Sequence, residues 1–275
     1  MTSFQGASKS YDRFAQPQAL AAQLLSSCLL DSGRQEASVS APDCLIDLGC
    51  GTGLATLSWL QRQRLLHEPP VDLTILVDLA PAMIETAVSL LRPKVRCLQG
   101  LLQDAFEPSL ISALDAEAGQ KGSRLILSSY LLQWSPSPLE TLTEIWANCL
   151  RQGDCLAVAL PDENSFAALH RALAEAELPF RGLSLPTTDD LLGDQSMTKL
   201  QKYFQVLAAG SCPTVVAVDS AFDYLHHFSQ IGATLESPVY SLGDSVRLFR
   251  SLDRVFKKRL PELDYHTTWI ILRRC

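Results

Sequence analysis

The sequence lacks the patterns that mark secreted, membrane-spanning and metal-binding proteins. Its eight cysteines form no C-x-x-C pair, so we expect reduced thiols rather than a disulfide framework or a zinc site. The first fifteen residues contain no apolar run typical of a signal peptide, and the longest apolar stretches have the length of a strand. We therefore expect a cytoplasmic protein that is neither secreted nor embedded in a membrane.

Basic residues are fewer than acidic residues. The chain has 23 Lys and Arg against 30 Asp and Glu, which gives a formal net charge of -7. Proteins that bind nucleic acids need a basic face to neutralise phosphates, so we expect no nucleic-acid partner. The five histidines have no spacing typical of a metal site, and the adjacent His226 and His227 should point to different sides of one helix. We expect no bound metal.

What is present is an alternation of apolar strands with helical segments. The strand-like runs CLIDL, VDLTILVD, VRCLQG, RLILSS and DCLAVALP are separated by segments of helical periodicity. This order predicts one α/β domain built on a parallel sheet with helices on both faces. Residues 162–200 break the rhythm with one helix and a Pro-, Gly- and Asp-rich stretch, which predicts an insertion above the sheet. Two helices and a closing strand, YHTTWIILRR, follow.

The most informative motif lies where the first strand meets the first helix. It reads Asp47-Leu48-Gly49-Cys50-Gly51-Thr52-Gly53. Glycines there permit a tight turn and let a small molecule lie against bare backbone at the helix N-terminus. Asp78, at the end of the second strand, is suited to bind the two hydroxyls of a ribose.

The spacing of the glycines discriminates between nucleoside ligands. A dinucleotide fingerprint requires a third glycine where Leu54 stands. Asp47 lies two residues before the first glycine and suits an ammonium group better than a pyrophosphate. A nicotinamide-binding protein and a tight turn that binds nothing remain the alternatives to a ligand that carries an amino group.

This D-x-G-x-G-x-G pattern resembles the glycine-rich motif of class I S-adenosylmethionine-dependent methyltransferases. Further stretches are similar to the malonyl-acyl-carrier-protein O-methyltransferases of biotin synthesis. They are the segment 11–18 (YDRFAQPQ), the segment 128–134 (SSYLLQW) after the fourth strand, residues 164–169, Ile231-Gly232-Ala233, and Asp264-Tyr265-His266. The resemblance spans nearly the whole chain.

The resemblance implies a Rossmann-like, doubly wound sheet of seven strands, with residues 1–30 as an N-terminal lid and helix. It implies S-adenosylmethionine as cofactor, with S-adenosylhomocysteine as product. The implied cofactor contacts are Tyr11, Asp47, Gly49, Cys50, Gly51, Gly53, Asp78, Leu79, Met83, Leu101, Leu102 and Ser128. Tyr11, Trp134 and Arg181 are the implied catalytic residues. If the lid interpretation holds, deletion of residues 1–17 should leave the sheet folded but sharply reduce cofactor affinity and turnover.

The implied acceptor is the free carboxylate of a malonyl thioester on an acyl carrier protein, and the implied enzyme is a monomer. A carboxylate is ionised at neutral pH and needs no general base, so catalysis should rest on orientation and the exclusion of water. Aromatic walls suit that task. The candidates are Tyr11, Phe14, Tyr130, Trp134, Phe166 and Phe180, and for each of them core packing is the alternative interpretation.

An acidic carrier protein requires a local basic surface on this acidic chain. Arg171 and Arg181, in or beside the insertion, are the favoured candidates. A basic cluster on one predicted helix is the other candidate, although a solvated helix face is the simpler interpretation of it. Its members are Arg247, Arg250, Arg254, Lys257, Lys258 and Arg259.

Three positions depart from the family pattern. Leu101-Leu102 follow Gly100 where an acid usually stands, Arg124 replaces an acid at the start of the fourth strand, and residues 179–186 differ in the insertion. Two other functions therefore stay open. One is a methyltransferase of another small acid or small molecule. The other is a relative that binds the cofactor without using its methyl group, such as a protein-arginine hydroxylase-like protein or an assembly factor.

Overall fold

A seven-stranded mixed sheet forms the centre of the computed structural model, which describes residues 14–32, 42–119, 122–230 and 240–275. The strand order is β3-β2-β1-β4-β5-β7-β6. The first five strands pair in parallel, and β7 runs antiparallel between β5 and β6. The strands are β1 Cys44–Leu48, β2 Leu73–Asp78, β3 Cys97–Leu102, β4 Arg124–Ser129, β5 Cys155–Pro161, β6 Phe204–Ala217 and β7 Glu262–Arg274.

Helices cover both faces of this sheet. They are α1 Gln16–Ser32, α2 Leu54–Leu65, α3 Pro81–Leu91, α4 Ser109–Ala118, α5 Ala167–Glu175, α6 Thr188–Leu192, α7 Asp194–Leu200, α8 Ala221–Gln230 and α9 Leu242–Phe256. None of the helices in these ranges is both long and apolar enough to cross a membrane.

Alternate strand residues feed two separate apolar clusters. Leu45 and Leu76 pack with α1, α2 and α3, whereas Ile46 and Ile75 pack with α4, α6 and α7 on the opposite face. Because both faces are covered, every residue of β1 and β5 is buried. The core thus fixes the carboxyl ends of β1, β2, β4 and β5 along one edge of the sheet.

A third apolar cluster, which we call the cap, joins α5, α8 and α9 to β7. The start of α5 is held by Asp264 of β7: the backbone N–H of Phe166 donates to the Asp264 carbonyl at 2.7 Å, and that of Ala168 donates to Asp264 Oδ2 at 2.8 Å. The cap is therefore tied to the sheet beside the end of β5.

The predicted α/β class and the parallel arrangement of the first five strands are confirmed, while four local predictions were wrong. β3 continues two residues beyond Gly100, to Leu102. The helical segment between β4 and β5 is not one regular α-helix, because it consists of an α-helical turn at Pro138–Glu140, a π-helical turn at Thr141–Ile145 and a 3₁₀ turn at Trp146–Cys149. The insertion contains three helices rather than one, since Thr187 and Asp190 form a capping box that starts α6.

The fourth difference is β6, a 14-residue edge strand for which the sequence analysis identified no matching strand-like run. Gly210 and Pro213 interrupt the strand pattern in the sequence. An edge strand tolerates both residues, because its outer side needs no partner. A side chain at Gly210 would also lie only 3.0 Å from the ring of Trp269 in β7.

Candidate cofactor and acceptor site

The glycine turn after β1 is shaped by three residues with positive φ. Gly49, Gly51 and Gly53 have φ angles of 67°, 49° and 89°. A Cβ atom at Gly49 would lie 2.7 Å from the side chain of Leu131, and one at Gly53 would lie 2.8 Å from that of Leu91. At Gly51 nothing lies within 4 Å of that position. Two glycines thus serve packing, whereas Gly51 borders open space that a ligand can fill.

Asp78 holds this turn from the end of β2. Its Oδ2 accepts a hydrogen bond from the Gly51 backbone N–H at 2.9 Å, and its Oδ1 accepts one from the Ala80 N–H at 2.9 Å. Burial raises the pKa of the Asp78 carboxyl. Each carboxylate oxygen has a second lone pair, so Asp78 can accept from a pair of hydroxyls while it holds the turn.

Asp47 is buried at the end of β1 and is only half satisfied. Its Oδ2 accepts hydrogen bonds from the backbone N–H of Thr56 at 3.2 Å and from its hydroxyl at 2.7 Å. Within the described ranges, Asp47 Oδ1 has no hydrogen-bond partner. Burial raises the pKa of the Asp47 carboxyl to about 7, and the nearby Asp78 charge adds to the effect. A cationic donor is the group that would satisfy this oxygen.

Further unpartnered polar atoms lie at the end of β4. The register pairs Asp47 with Leu127, which places Ser128 and Ser129 one and two residues further along β4. The hydroxyl oxygens of Ser128 and Ser129 and the Oε1 of Gln133 are buried, and none has a partner in the described part of the chain. Buried polar atoms are normally paired, so this group marks where a polar ligand is expected.

The remaining residues implied as cofactor contacts fall into two groups. Leu79 and Leu102 are 45% and 57% exposed at the ends of β2 and β3, where they can border a ligand. Met83 is buried in α3, and Leu101 packs against the cluster on the α4 face. Cys50 is buried as well, and burial raises the pKa of its thiol well above the usual range.

Two of the three departures from the family pattern, those after Gly100 and at Arg124, have structural explanations. Gly100 lies within β3, where a Cβ atom would be 2.6 Å from Ile84, so it is a packing glycine. Asp104 then follows the strand by two residues and caps a turn, because its Oδ1 accepts from the Phe106 N–H at 2.9 Å. Arg124 is buried and donates to Asp115 Oδ1 at 2.7 Å and to the Cys149 carbonyl at 2.9 Å, so it joins β4 to the helices beneath.

The residues implied as catalytic are not brought together by the described contacts. Trp134 lies partly buried in the 3₁₀ turn Leu132–Trp134 that follows β4. Arg181 is exposed after α5, and its guanidinium lies 5.3 Å from the ring centre of Tyr240. Tyr11 lies outside the described residues.

The lid prediction also falls largely outside the described residues, which start at Phe14. The Phe14 ring meets His226 of α8 edge to face, with 5.6 Å between the ring centres. The backbone of Phe14 is hydrogen-bonded to the ring of His227, which is buried and also contacts the Tyr265 hydroxyl at 2.8 Å. His226 also stacks on Phe222, with 5.4 Å between the ring centres. The chain therefore enters α1 directly from the cap.

Of the remaining aromatic candidates, Phe166 packs in the cap and Phe180 lies beside His170, with 4.7 Å between the ring centres. The Tyr130 hydroxyl is hydrogen-bonded to Thr267 at 2.7 Å, and burial raises its pKa.

Sequence reasoning missed a second buried polar group, centred on Asp162 just after β5. Asp162 Oδ2 accepts from His266 Nδ1 and from the Thr268 hydroxyl, both at 2.7 Å. The available signal was an acid at a strand end, as at Asp47 and Asp78. Its partners could not be found in the same way, because they lie more than a hundred residues away.

The basic clusters are largely paired. Arg171 lies 3.7 Å from Glu175, Lys257 lies 3.0 Å from Asp253, and Arg247 pairs with Asp244. Such exposed pairs on one helix are typical of a solvated face. The α9 cluster thus carries less free charge than its sequence indicates.

Comparisons with known proteins agree with this architecture. No family model matches the sequence. A malonyl-[acyl-carrier protein] O-methyltransferase of Anoxybacillus flavithermus is 29% identical over 205 residues, which cover 71% of this chain and 68% of that protein. A trans-aconitate 2-methyltransferase of Deinococcus radiodurans is 32% identical over 129 residues, which cover 47% of this chain and 42% of that protein.

Among solved structures, a Bacillus halodurans protein described as a methyltransferase superposes with a TM-score of 0.54 at 11% identity. The match covers 90% of this chain and 98% of that one. The fold expected from the glycine motif is thereby confirmed, and the relatives confirm the enzyme class. The chain is a methyltransferase with the class I fold, and it is similar over most of its length to malonyl-acyl-carrier-protein O-methyltransferases.

Proposed function

We propose that the protein transfers the methyl group of S-adenosylmethionine to the free carboxylate of a malonyl thioester on an acyl carrier protein, as in biotin synthesis. The observation that carries the cofactor assignment is the glycine turn between two acids, one of which has a buried oxygen with no partner among the described residues. Similarity to relatives with this activity supports the choice of acceptor.

The residues at the ends of β1 and β2 fit this cofactor. Asp47 Oδ1 would accept from the ammonium of the methionine part, which resolves its missing hydrogen bond. Asp78 would accept from the ribose hydroxyls, and the open space at Gly51 would admit the ligand against bare backbone. When bound, S-adenosylmethionine supplies an electrophilic methyl group on a sulfonium.

The acceptor needs orientation rather than activation. Its carboxylate is already ionised at neutral pH, so no proton has to be removed before an oxygen attacks the methyl carbon. One C–O bond forms as one C–S bond breaks, and the sulfur leaves as a neutral thioether. We assign the orientation of the acceptor carboxylate to the end of β4, where the Ser129 hydroxyl has no partner among the described residues and can donate to a carboxylate oxygen, and where Trp134 lies nearby in sequence.

The walls around this position should exclude water, which would otherwise solvate the carboxylate and lower its reactivity. Tyr130 is suited to a wall, because its hydroxyl is bound to Thr267 and burial keeps it neutral by raising its pKa. Tyr11, in the N-terminal segment, would close the site from the side of α8. We assign Arg181 to the carrier protein or to the acceptor carboxylate.

We also propose that the enzyme is monomeric and located in the cytoplasm. The eight cysteines are free, which agrees with a reducing compartment. The carrier protein would approach from the side of the insertion, where Arg171 and Arg181 are exposed.

A free polycarboxylic acid is the second candidate acceptor, and the similarity to a trans-aconitate 2-methyltransferase favours it. The chemistry at the carboxylate would be the same. The two candidates differ only in what is attached to the acceptor.

Intact-mass spectrometry of the acceptor tests the proposal. The protein is incubated with S-adenosylmethionine and either malonyl-carrier protein or acetyl-carrier protein, which lacks the free carboxylate. The proposal predicts a gain of one methyl group on the malonyl form only. Methylation of trans-aconitate instead would favour the second candidate. Cofactor binding without methylation of any acceptor would favour a protein that does not use the methyl group.

A further inference from the structure

A groove of about 420 Å³ opens beside the acceptor end of the sheet. One wall is the segment 133–140 that follows β4, and the other is the part of the insertion that spans residues 184–199. Its volume lies within the range of small-molecule sites. The groove thus joins the end of β4 to the surface of the insertion.

The floor of the groove contains an unsatisfied polar atom. Gln133 is 8% exposed, and its Nε2 donates to the Tyr130 carbonyl at 2.7 Å. Its Oε1 is buried and has no partner in the described ranges. The neighbouring hydroxyls on the floor are occupied, since Ser135 is hydrogen-bonded to Thr141 and Ser196 to the Asp189 carbonyl. Gln133 Oε1 is therefore available to accept a hydrogen bond from a ligand.

The charges around the groove favour a neutral ligand. Glu140, Asp190 and Lys199 border it, so the carboxylates outnumber the ammonium. A polycarboxylic acid would meet repulsion there, whereas amide N–H groups would find acceptors. Prolines and leucines supply the apolar parts of the walls: Pro136, Pro138, Leu139, Leu185 and Pro186.

We propose that this groove binds the pantetheine arm of the thioester substrate. The arm is neutral, and it combines two amide N–H donors with apolar methyl and methylene groups, which match the acceptors and walls of the groove. Gln133 Oε1 would accept from one of these amides. This inference rests on the proposed function and deepens it, because an acyl group placed at the end of β4 would have its arm directed along the groove.

The groove also bears on the choice between the two candidate acceptors. A free acid has no arm, so it would leave Gln133 Oε1 unpaired and the groove unused. Coenzyme A and a carrier protein present the same arm and differ only beyond its phosphate. The proposal therefore concerns the arm itself and not the group to which the arm is attached.

The test compares substrates with and without a full arm. Initial rates are measured with malonyl-pantetheine, malonyl-coenzyme A, malonyl-carrier protein and the malonyl thioester of N-acetylcysteamine, which has only the end of the arm. For the wild-type protein, the KM of each of the three full-arm substrates should be lower than the KM of the short thioester by a factor of about ten or more. Equal KM values for long and short thioesters would overturn the groove proposal and leave the proposed function standing. Absence of methylation of every malonyl thioester would instead remove the proposed function.

A variant at the exposed rim separates the groove from the catalytic site. Ser184→Trp places a large ring at the groove, and Ser112→Trp places the same ring on the exposed side of α4 as a control. Ser184→Trp should raise KM about tenfold for the full-arm substrates and leave the values for the short thioester unchanged. Equal effects on long and short substrates, or an effect on the carrier-protein substrate alone, would contradict binding of the arm.

Discussion

The two halves of the site differ in how far apart in sequence their partners lie. At the ends of β1 and β2, the Asp47–Thr56 and Asp78–Gly51 hydrogen bonds join residues 9 and 27 positions apart. On the acceptor side, the Tyr130–Thr267 and Asp162–His266 contacts span 137 and 104 positions. The cofactor half is therefore a local structure, whereas the acceptor half exists only in the complete fold.

This difference has a functional meaning. A local turn with two acids can be kept in many proteins, because it depends on few other residues. The acceptor half is assembled from β4, β5, β7 and the cap, so changes in any of them can alter what fits. We expect substitutions in the cofactor half to affect S-adenosylmethionine binding directly, and those in the acceptor half to act on the substrate or on stability.

The largest effect is expected from Asp47→Asn, which removes the charge nearest the cofactor ammonium. A hydrogen bond between charged groups is worth about 3 kcal/mol at most, so affinity for S-adenosylmethionine should fall about 100-fold at pH 8. Asp72→Asn is the matched control, since Asp72 lies in an exposed ion pair with Arg96. Isothermal titration calorimetry measures both, and equal affinities would exclude Asp47 from the cofactor site.

The same residue predicts a pH dependence. The pKa of Asp47 is about 7 because of burial, so below pH 7 its carboxyl is protonated in the free protein. Binding of an ammonium requires the ionised form, so a proton must then be released. Affinity should fall by about tenfold per unit well below pH 7. Titrations from pH 5 to 8 should show this slope in the wild type and its loss in Asp47→Asn.

The glycine turn allows a comparison of packing with ligand binding. Gly49→Ala combines a positive φ with a clash against Leu131, so the free energy of unfolding should drop by about 2–3 kcal/mol. Gly51→Ala places its methyl in open space and should cost only about 1 kcal/mol. Its main effect should be weaker cofactor binding. Urea unfolding and calorimetry separate these effects, and normal binding by Gly51→Ala would argue against a ligand at this turn.

Removal of residues 1–13 tests the N-terminal lid without changing the described residues. This deletion is a more specific test than deletion of residues 1–17, because the longer deletion would also remove the buried Ala15 and the start of α1. We expect about a tenfold loss of turnover and of cofactor affinity, because water would enter the site, while the circular dichroism spectrum stays unchanged. Full activity of the shortened protein would refute the lid.

The smallest effect is expected on the acceptor side, from Tyr130→Phe. The change removes one hydroxyl from the chain that joins Tyr130, Thr267 and Thr214. The free energy of unfolding should fall by about 1 kcal/mol. Tyr203→Phe serves as the control, since the ring of Tyr203 lies under Arg274 near the far end of β7. If Tyr130→Phe lowered the free energy of unfolding no more than Tyr203→Phe does, the hydrogen-bonded hydroxyls of Tyr130, Thr267 and Thr214 would make no specific contribution to stability.

The comparison also explains how much could be predicted from the sequence. The first five strands and the glycine turn were predicted because short motifs determine them, and the same patterns placed Asp47 and Asp78 at the ends of β1 and β2. The π-helical turn after Pro138, the long edge strand with Gly210 and Pro213, and the Asp162 group were missed. The edge strand and the Asp162 group depend on partners far along the chain, which no local pattern identifies.

Calorimetric titration of S-adenosylmethionine into the full chain tests the central claim, that the acids at the ends of β1 and β2 hold the methyl donor. The account predicts one binding site in the wild-type protein. It also predicts a loss of the same order, about 100-fold, in Asp78→Ala, which lacks the acceptor for two ribose hydroxyls, and unchanged binding in Asp72→Ala. No binding by the wild type, or undiminished binding by Asp78→Ala, would contradict it.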